Sequence, residues 1–243
     1  ICALFQILEK LKNQYIMSHE NKEKERAKEN TAAVVEAVSK TELFFSSNKV
    51  AITVIIAVLI LGGLGFFFWH KYGYLPQKAE AMEQMYPAEA NFRAEEYELA
   101  LNGDGNVLGF AQIIDEYGKK AGKAAYFYAG VCELQLGNWD SAISYLSKYN
   151  GKDEILLARA TACIGDAYVG LNDYAKAVTY FEKAAATADN MYAAGYLLKA
   201  GVTYEELGQN DKALAAYKKI KDKYPQSMEG YDIDKYISRI EAE

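Results

Sequence analysis

Residues 102–106 read Asn-Gly-Asp-Gly-Asn, the alternation with which calcium loops begin. Such a loop needs oxygen ligands at its first, third and fifth positions, glycine at the sixth and an acidic residue at the twelfth. Counted from Asn102, the ligands fall on Asn102, Asp104 and Asn106, but Val107 takes the sixth position and Ile113 the twelfth. Counted from Asp104, Gly109 and Asp115 fit, yet Leu108 stands where the fifth ligand belongs. Neither register completes a cation shell. A phosphate-cradling glycine loop would follow a β-strand, and no strand pattern precedes this one. The stretch reads as a turn between helices, with Gly103 and Gly105 freeing the backbone for the reversal.

Other reactive chemistry is thinly represented. The cysteines are Cys2, Cys132 and Cys163, without a CxxC pair, and the histidines are His19 and His70. That inventory supplies neither a zinc set nor a His-dependent triad. Cys132 and Cys163 occupy comparable places in neighbouring segments, which leaves a bridge open in an oxidising compartment. Burial as small hydrophobes is the competing reading. The acid pairs Asp115-Glu116 and Glu205-Glu206 are what solvated helix faces carry, and no nucleophile stands beside a base. The chain reads as non-enzymatic, without a metal or other cofactor.

The elements that carry these residues are helical. The chain is rich in Ala, Leu, Glu and Lys, with 3 prolines among 243 residues, 51% apolar content and 20 tyrosines. That composition favours a packed all-α protein. Charge is unevenly spread: residues 1–49 hold 8 Lys/Arg against 7 Asp/Glu, and residues 70–243 hold 19 against 26. An acidic large domain lacks the basic face that nucleic-acid binding needs.

Residues 50–69, VAITVIIAVLILGGLGFFFW, contain no charged side chain. A helix of about 20 residues spans the ~30 Å hydrocarbon core of a bilayer. Lys49 bounds one end, and Phe66 to Tyr74 form an aromatic and basic collar at the other. Bulky residues follow the run where a signal-peptide cleavage site would need small ones, so 50–71 reads as a retained signal anchor. The short tail carries Lys22, Lys24, Arg26 and Lys28, which favours a cytoplasmic tail and an exported C-terminal domain. Met17 opens the polar tail (17–49), and residues 1–16 read as belonging to an upstream start. Residues 18–30 have a disordered composition, and 31–45 fit a short amphipathic helix at the membrane surface.

Past residue 78 the chain repeats itself. Gly130, Gly165 and Gly201 align at offsets of 35 and 36 residues. Twelve residues after each stands Ala142, Ala177 or Ala213, and four further on Leu146, Phe181 or Tyr217. Gly137, Asn172 and Gly208 fill the turn with residues that tolerate a left-handed backbone. The spacing predicts two amphipathic helices per unit, with the small Gly and Ala facing one another at the crossing. The large residue then fills the space between units, so that stacked units bury a continuous core. Residues 78–122 read as a degenerate hairpin with a long first helix, Gly109 at the small position and Ile113 at the large one. Residues 226–243 place Ile233, Ile237 and Ile240 on one face, as a capping helix requires.

These residues resemble the tetratricopeptide repeat. The match is fuller in the second and third units, where Tyr168 and Tyr204 take the first-helix aromatic position that Glu133 replaces in the first. Only the last unit keeps the terminal proline, Pro225. The resemblance covers residues 123–225 and implies an α-solenoid behind a single N-terminal transmembrane helix. It also implies a ligand surface on the concave face of the first helices. Projected onto this sequence, that face takes Phe127, Val131, Leu134 and Gln135 from the first unit. Arg159, Ala162, Asp166 and Val169 come from the second, and Leu198, Val202, Glu205 and Glu206 from the third. Read so, the groove is apolar with an acidic end. The Lys and Asn residues with which some members clamp a chaperone's C-terminal carboxylate are missing, so an extended or helical protein segment with apolar anchors and basic residues is expected.

The whole arrangement is similar to bacterial inner-membrane tetratricopeptide proteins that accompany the Sec translocon and link it to periplasmic chaperones, and to membrane-anchored repeat proteins of Bacteroidetes type. It implies a non-catalytic interaction scaffold in protein export or envelope biogenesis, with the repeat domain periplasmic. Two alternatives stand beside it. One is an envelope protein that self-associates or binds glycans; the other is the reverse orientation, a cytosol-facing adaptor.

Overall fold

The computed structural model describes residues 17, 30, 31, 38, 39, 43–187 and 189–242. The expectations for residues 1–16 and for the tail at 18–29 lie outside them, as does most of the stretch where an amphipathic helix is expected. The chain divides into two compact units, Ile1–Trp69 and His70–Glu243. In the first, residues 43–69 form helix α1. One helical stretch among the described residues, Leu43–Arg93, is long and apolar enough to cross a membrane, and its apolar window is not buried.

The second unit is helical throughout its described elements. A π-helical turn, His70–Tyr74, leads into α2 (Leu75–Arg93), α3 (Tyr97–Asn102) and α4 (Phe110–Tyr117). A 3-10 turn, Gly118–Ala121, joins these to α5 (Gly122–Gln135) and α6 (Trp139–Lys148). Then come α7 (Glu154–Gly170), α8 (Tyr174–Thr187), α9 (Tyr192–Glu206), α10 (Asn210–Lys223) and α11 (Met228–Glu241). The three repeat units are the hairpins α5–α6, α7–α8 and α9–α10.

Each hairpin turns in the same way. Gly137, Asn172 and Gly208 have φ of 79°, 59° and 66°. At each, the turn residue donates to the carbonyl three residues back, and the next N–H reaches back five: Asn138 to Glu133, Asp173 to Tyr168 and Gln209 to Tyr204, each at 2.9 Å. A left-handed residue lets these paired bonds satisfy the helix's last carbonyls before the chain reverses. Side chains cap several helix starts: Asp173 accepts from Lys176 N–H at 3.1 Å before α8. Asp153 accepts from Ile155 and Leu156 N–H at 2.9 and 3.1 Å, and Ser227 accepts from Gly230 N–H at 3.0 Å.

The degenerate unit is organised differently from its sequence reading. The long helix breaks after Arg93, and Glu95 adopts φ 62°. Glu95 N–H donates to Phe92 at 3.1 Å and Glu96 N–H to Asn91 at 3.0 Å, the bond pattern of the three repeat turns. Glu95 is therefore this unit's turn residue. Counting from it puts Ala88 at the glycine position and Ala100 at the alanine position, and both are fully buried. Gly109 instead sits where the backbone of α4 abuts α3: a Cβ there would stand 2.2 Å from the Leu101 carbonyl oxygen. The loop 103–109 interrupts the unit's second helix, leaving α3 and α4 as its two pieces.

Within the repeats, each glycine meets the large residue of its own unit more closely than the alanine. A Cβ on Gly130 would lie 2.6 Å from Leu146, on Gly165 2.6 Å from Phe181, and on Gly201 2.2 Å from Tyr217. The glycine is a socket for that side chain. Three apolar clusters result. Phe110, Ile113 and Leu101 centre the first, Leu146 and Val131 the second, and Phe181, Tyr217 and Ile220 the third. The capping helix joins the third through Ile233 and Ile237, both buried, with Ile240 half-buried beside them.

Candidate functional site

The loop at 102–106 closes on itself. Asp104 Oδ1 accepts from Asn106 N–H at 2.9 Å and Val107 N–H at 3.0 Å, while Asp104 N–H donates to the Val107 carbonyl at 3.3 Å. These bonds hold the carboxyl pKa below its ordinary value, with the Val107 N–H first among the causes. The oxygen that a cation would need is committed to the backbone. Among the described residues, no group of three or more His, Cys, Asp or Glu side chains is placed to hold a metal. Cys132 is buried in the first apolar cluster and Cys163 is half-buried; both are free.

The larger feature is a row of three recesses across the first helices. The first, about 260 Å³, lies where Glu89, Phe92 and Arg93 of α2 face Phe127 and Tyr128 of α5 and Leu156 and Arg159 of α7. The second, about 490 Å³, is formed by Val131, Leu134 and Gln135 of α5 and by Arg159, Ala162, Cys163 and Asp166 of α7. Tyr192, Tyr196 and Lys199 of α9 close it. The third, also about 490 Å³, shares those three residues and adds Met191, Gly195 and Leu198 of α9 with Met228 and Glu229 of α11. Arg159 separates the first recess from the second, and Tyr196 with Lys199 separates the second from the third.

The geometry follows from helical periodicity. The residue three places before each unit's glycine and the one after it share a helix face. In the first two units that face opens into the recesses. In the third, the opening shifts toward the start of α9, because α11 packs beside it. Thus Phe127, Val131, Leu134, Gln135, Arg159, Ala162, Asp166 and Leu198 line the recesses. Four expected residues lie elsewhere. Val169 packs half-buried on the third apolar cluster, and Val202 and Glu206 are exposed outside the recesses. Glu205 faces α10 and α11: it accepts from Arg239 Nη2 at 2.5 and 2.7 Å and from the Tyr217 hydroxyl.

Sequence reasoning missed Tyr128, Cys163 and Lys199. All three stand two residues before their unit's glycine, so a recurring register was the available signal. It also missed Tyr192, Tyr196 and the contribution of α2. Charge in the groove is answered internally at one pair. Lys199 Nζ donates to both oxygens of Asp166 at 2.7 Å, a half-exposed pair worth about 1 kcal/mol or less. Burial pushes the Tyr128 and Tyr196 hydroxyls up, so both are neutral donors at physiological pH. Burial likewise pushes the Cys163 thiol up to about 11, which makes it a poor nucleophile. Nothing in this set assembles a nucleophile with a base. The groove can bind an extended or helical segment by apolar anchors and a few directed polar bonds.

Comparison with known proteins accords with the helical pairing. Residues 124–152, 164–190 and 196–227 match models of the tetratricopeptide repeat, and the chain carries such repeats there. No curated protein matches the chain. Among solved structures, a MamA protein aligns at 18% identity over 68% of this chain and 83% of that one, with a TM-score of 0.52. A second MamA structure aligns at 19% identity over 64% and 92%, with a TM-score of 0.48. A thermophilic TPR protein of Thermus thermophilus, TTC0263, aligns at 14% over 67% and 100%, with a TM-score of 0.33. At 18% identity the likeness to the first of these concerns the all-α repeat fold alone.

Proposed function

We propose that this tetratricopeptide-repeat chain is a non-catalytic scaffold, held at a bacterial inner membrane by residues 50–69, that binds a protein segment along its first helices. The observation that carries the binding role is the unbroken row of recesses from α2 to α11. Each is open to solvent and combines charged side chains with apolar or aromatic ones, of which Phe127, Val131 and Leu134 are themselves buried in the second apolar cluster. A repeat array with such a face has surface to offer a partner and no chemistry to offer a substrate.

The exposed apolar helix supports the anchoring, since about 20 apolar residues left in water would be costly. The short polar tail then lies in the cytoplasm and the repeat domain in the periplasm. The resemblance to translocon-associated repeat proteins makes the export machinery or its chaperones the first partners to test.

In-cell crosslinking of the full chain, followed by capture in mild detergent, tests the binding role. Phe127→Ala and Gln135→Lys should each reduce recovery of the crosslinked partner. Recovery unchanged in both would remove the groove from the mechanism. Protease treatment of spheroplasts tests the orientation. Digestion of the repeat domain only after lysis would place it in the cytosol instead. A second reading, self-association, is favoured by the exposure of Met191, Tyr192, Met228 and Tyr231 near one end of the row. Sedimentation of the detergent-solubilised chain distinguishes it.

A further inference from the structure

Arg159 is the one cation of the groove with no bond to any described residue; the Glu89 carboxylate, which lines the first recess, likewise has no ion pair among the described residues. Lys199 and Asp166 neutralise each other. Glu205 is held by Arg239, and Arg93 donates Nε–H to the Glu89 carbonyl at 3.2 Å. Arg159 is exposed and has no hydrogen bond or ion pair to any described residue, although it forms the wall between the first two recesses.

Two phenols flank it. Tyr128 lines the first recess and Tyr196 the second, and the Arg159 charge acts on both hydroxyls. Neither hydroxyl has a hydrogen-bond partner among the described residues. A guanidinium fork with neutral O–H donors on either side can take a carboxylate: no anion is in ion-pair contact with Arg159, although the Glu89 carboxylate lines the first recess and its charge acts on the Tyr128 hydroxyl. Apolar walls adjoin on both sides, Phe92, Phe127 and Leu156 on one, Val131 and Leu134 on the other.

We infer that the groove takes a protein segment bearing an Asp or Glu side chain that seats on Arg159 between the Tyr128 and Tyr196 hydroxyls, with apolar residues of the segment filling the recesses before and after it. This rests on the groove being the binding face, and it reverses the charge expected of the partner from sequence. Of the acidic residues read from the sequence as favouring a basic ligand, Asp166 and Glu205 are paired within the chain and Glu206 lies outside the recesses, while Arg159 on the wall between two recesses is unpaired.

The probe is a library of random twelve-residue peptides, displayed with blocked C-termini and selected on the full chain in detergent. Enriched peptides should carry an acidic residue flanked by apolar ones. An amidated synthetic consensus peptide should bind at least tenfold more weakly to Arg159→Ala, and more weakly in high salt. Arg159→Glu should select Lys or Arg in place of the acid. Peptides that lose affinity with Phe127→Ala but carry no acidic residue, or that bind Arg159→Ala unchanged, overturn the inference and leave the groove reading standing. Binding that survives replacement of the acid by Gln once the C-terminus is freed assigns Arg159 to a terminal carboxylate and also overturns it. Selection that yields nothing sensitive to Phe127, Tyr196 or Arg159 substitution overturns both readings.

Discussion

Tyr217 lays its ring over Gly201 so closely that a Cβ built on the glycine would stand 2.2 Å from Cε1 and 2.7 Å from Cζ. Tyr217 has no exposed surface, and its hydroxyl reaches Glu205 on the same helix as Gly201. The ring is therefore pinned at both its edge and its tip and has nowhere to retreat. Gly201→Ala should lower stability by about 1–3 kcal/mol, the ordinary cost of overpacking a filled core. Gly195, on the same helix, makes the opposite case. A Cβ there meets only Glu229 Oε1, at 3.1 Å, the end of a flexible side chain. Gly195→Ala should be neutral or stabilise by up to about 1 kcal/mol through helix propensity. Urea midpoints followed by circular dichroism should fall for Gly201→Ala and hold or rise for Gly195→Ala.

Asp104 ties the loop 103–109 by its two backbone bonds, which an asparagine oxygen could still accept in part. Asp104→Ala should therefore lower the melting temperature more than Asp104→Asn. Calcium should leave the melting temperature of the parent chain unchanged. A rise with calcium that Asp104→Ala removes would restore the metal reading. The pH dependence follows from the lowered carboxyl pKa. The folded state favours the ionised form, so this contribution is complete above about 4, the usual Asp value. It is lost as pH falls below that toward the folded pKa. The gap between the parent and Asp104→Ala should close over that acid range and stay constant from pH 5 to 8.

The capping helix is held to the third unit by Ile233 and Ile237 beneath and by Arg239 on Glu205 at the rim. Arg239 is largely exposed, so its ion pair adds about 1 kcal/mol or less. It also neutralises the carboxylate that Tyr217 donates to, which couples the cap to the core of the unit. Arg239→Ala should accelerate amide exchange in α11 first and in α9–α10 next, leaving α5–α6 unchanged. Repeat arrays open from their ends because each unit is held only by its neighbours. Uniform acceleration across all hairpins would show that α11 is no separate cap.

Helix pairing, turn positions and the capping face were legible because each rests on a spacing that recurs three times. Gly137, Asn172 and Gly208 announce a left-handed turn by residue type. Glu95 does not, and a glutamate at φ 62° is a conformation that sequence gives no reason to expect. That one residue displaced the degenerate hairpin's register by several positions. The groove was half legible: helix faces can be projected from the glycine register, but what covers a face cannot. Glu205 looked free until α11 brought Arg239 to it, a contact between residues 34 apart in sequence. Lys199 likewise cancels Asp166 from the neighbouring unit's helix, at a separation of 33 residues. Pairings across units decide the sign of the free charge, and periodicity within a unit carries no information about them.

The two thiols of the repeat domain provide a last check on packing. Burial pushes Cys132 up to about 12 and Cys163 up to about 11, so at pH 8 only about one Cys163 in a thousand and one Cys132 in ten thousand is thiolate. In a Cys2→Ser variant, dithiobis-nitrobenzoate should react slowly at pH 8, with Cys163 ahead of Cys132, and quickly with both after denaturation. Rapid native labelling would mean that the clusters around them are open. Tyr204 and Tyr224, each pushed up to about 12, belong to the same balance. All four groups have folded pKa values above their ordinary ones, so the neutral form is the one the folded chain favours. Their contribution is complete below pH ~9 and is lost as pH rises through the ordinary thiol and phenol values toward the folded ones. The repeat domain should hold a flat melting temperature from pH 6 to about 9 and lose it steeply between 10 and 12. Tyr204→Phe should flatten part of that alkaline slope without moving the plateau by more than a few degrees.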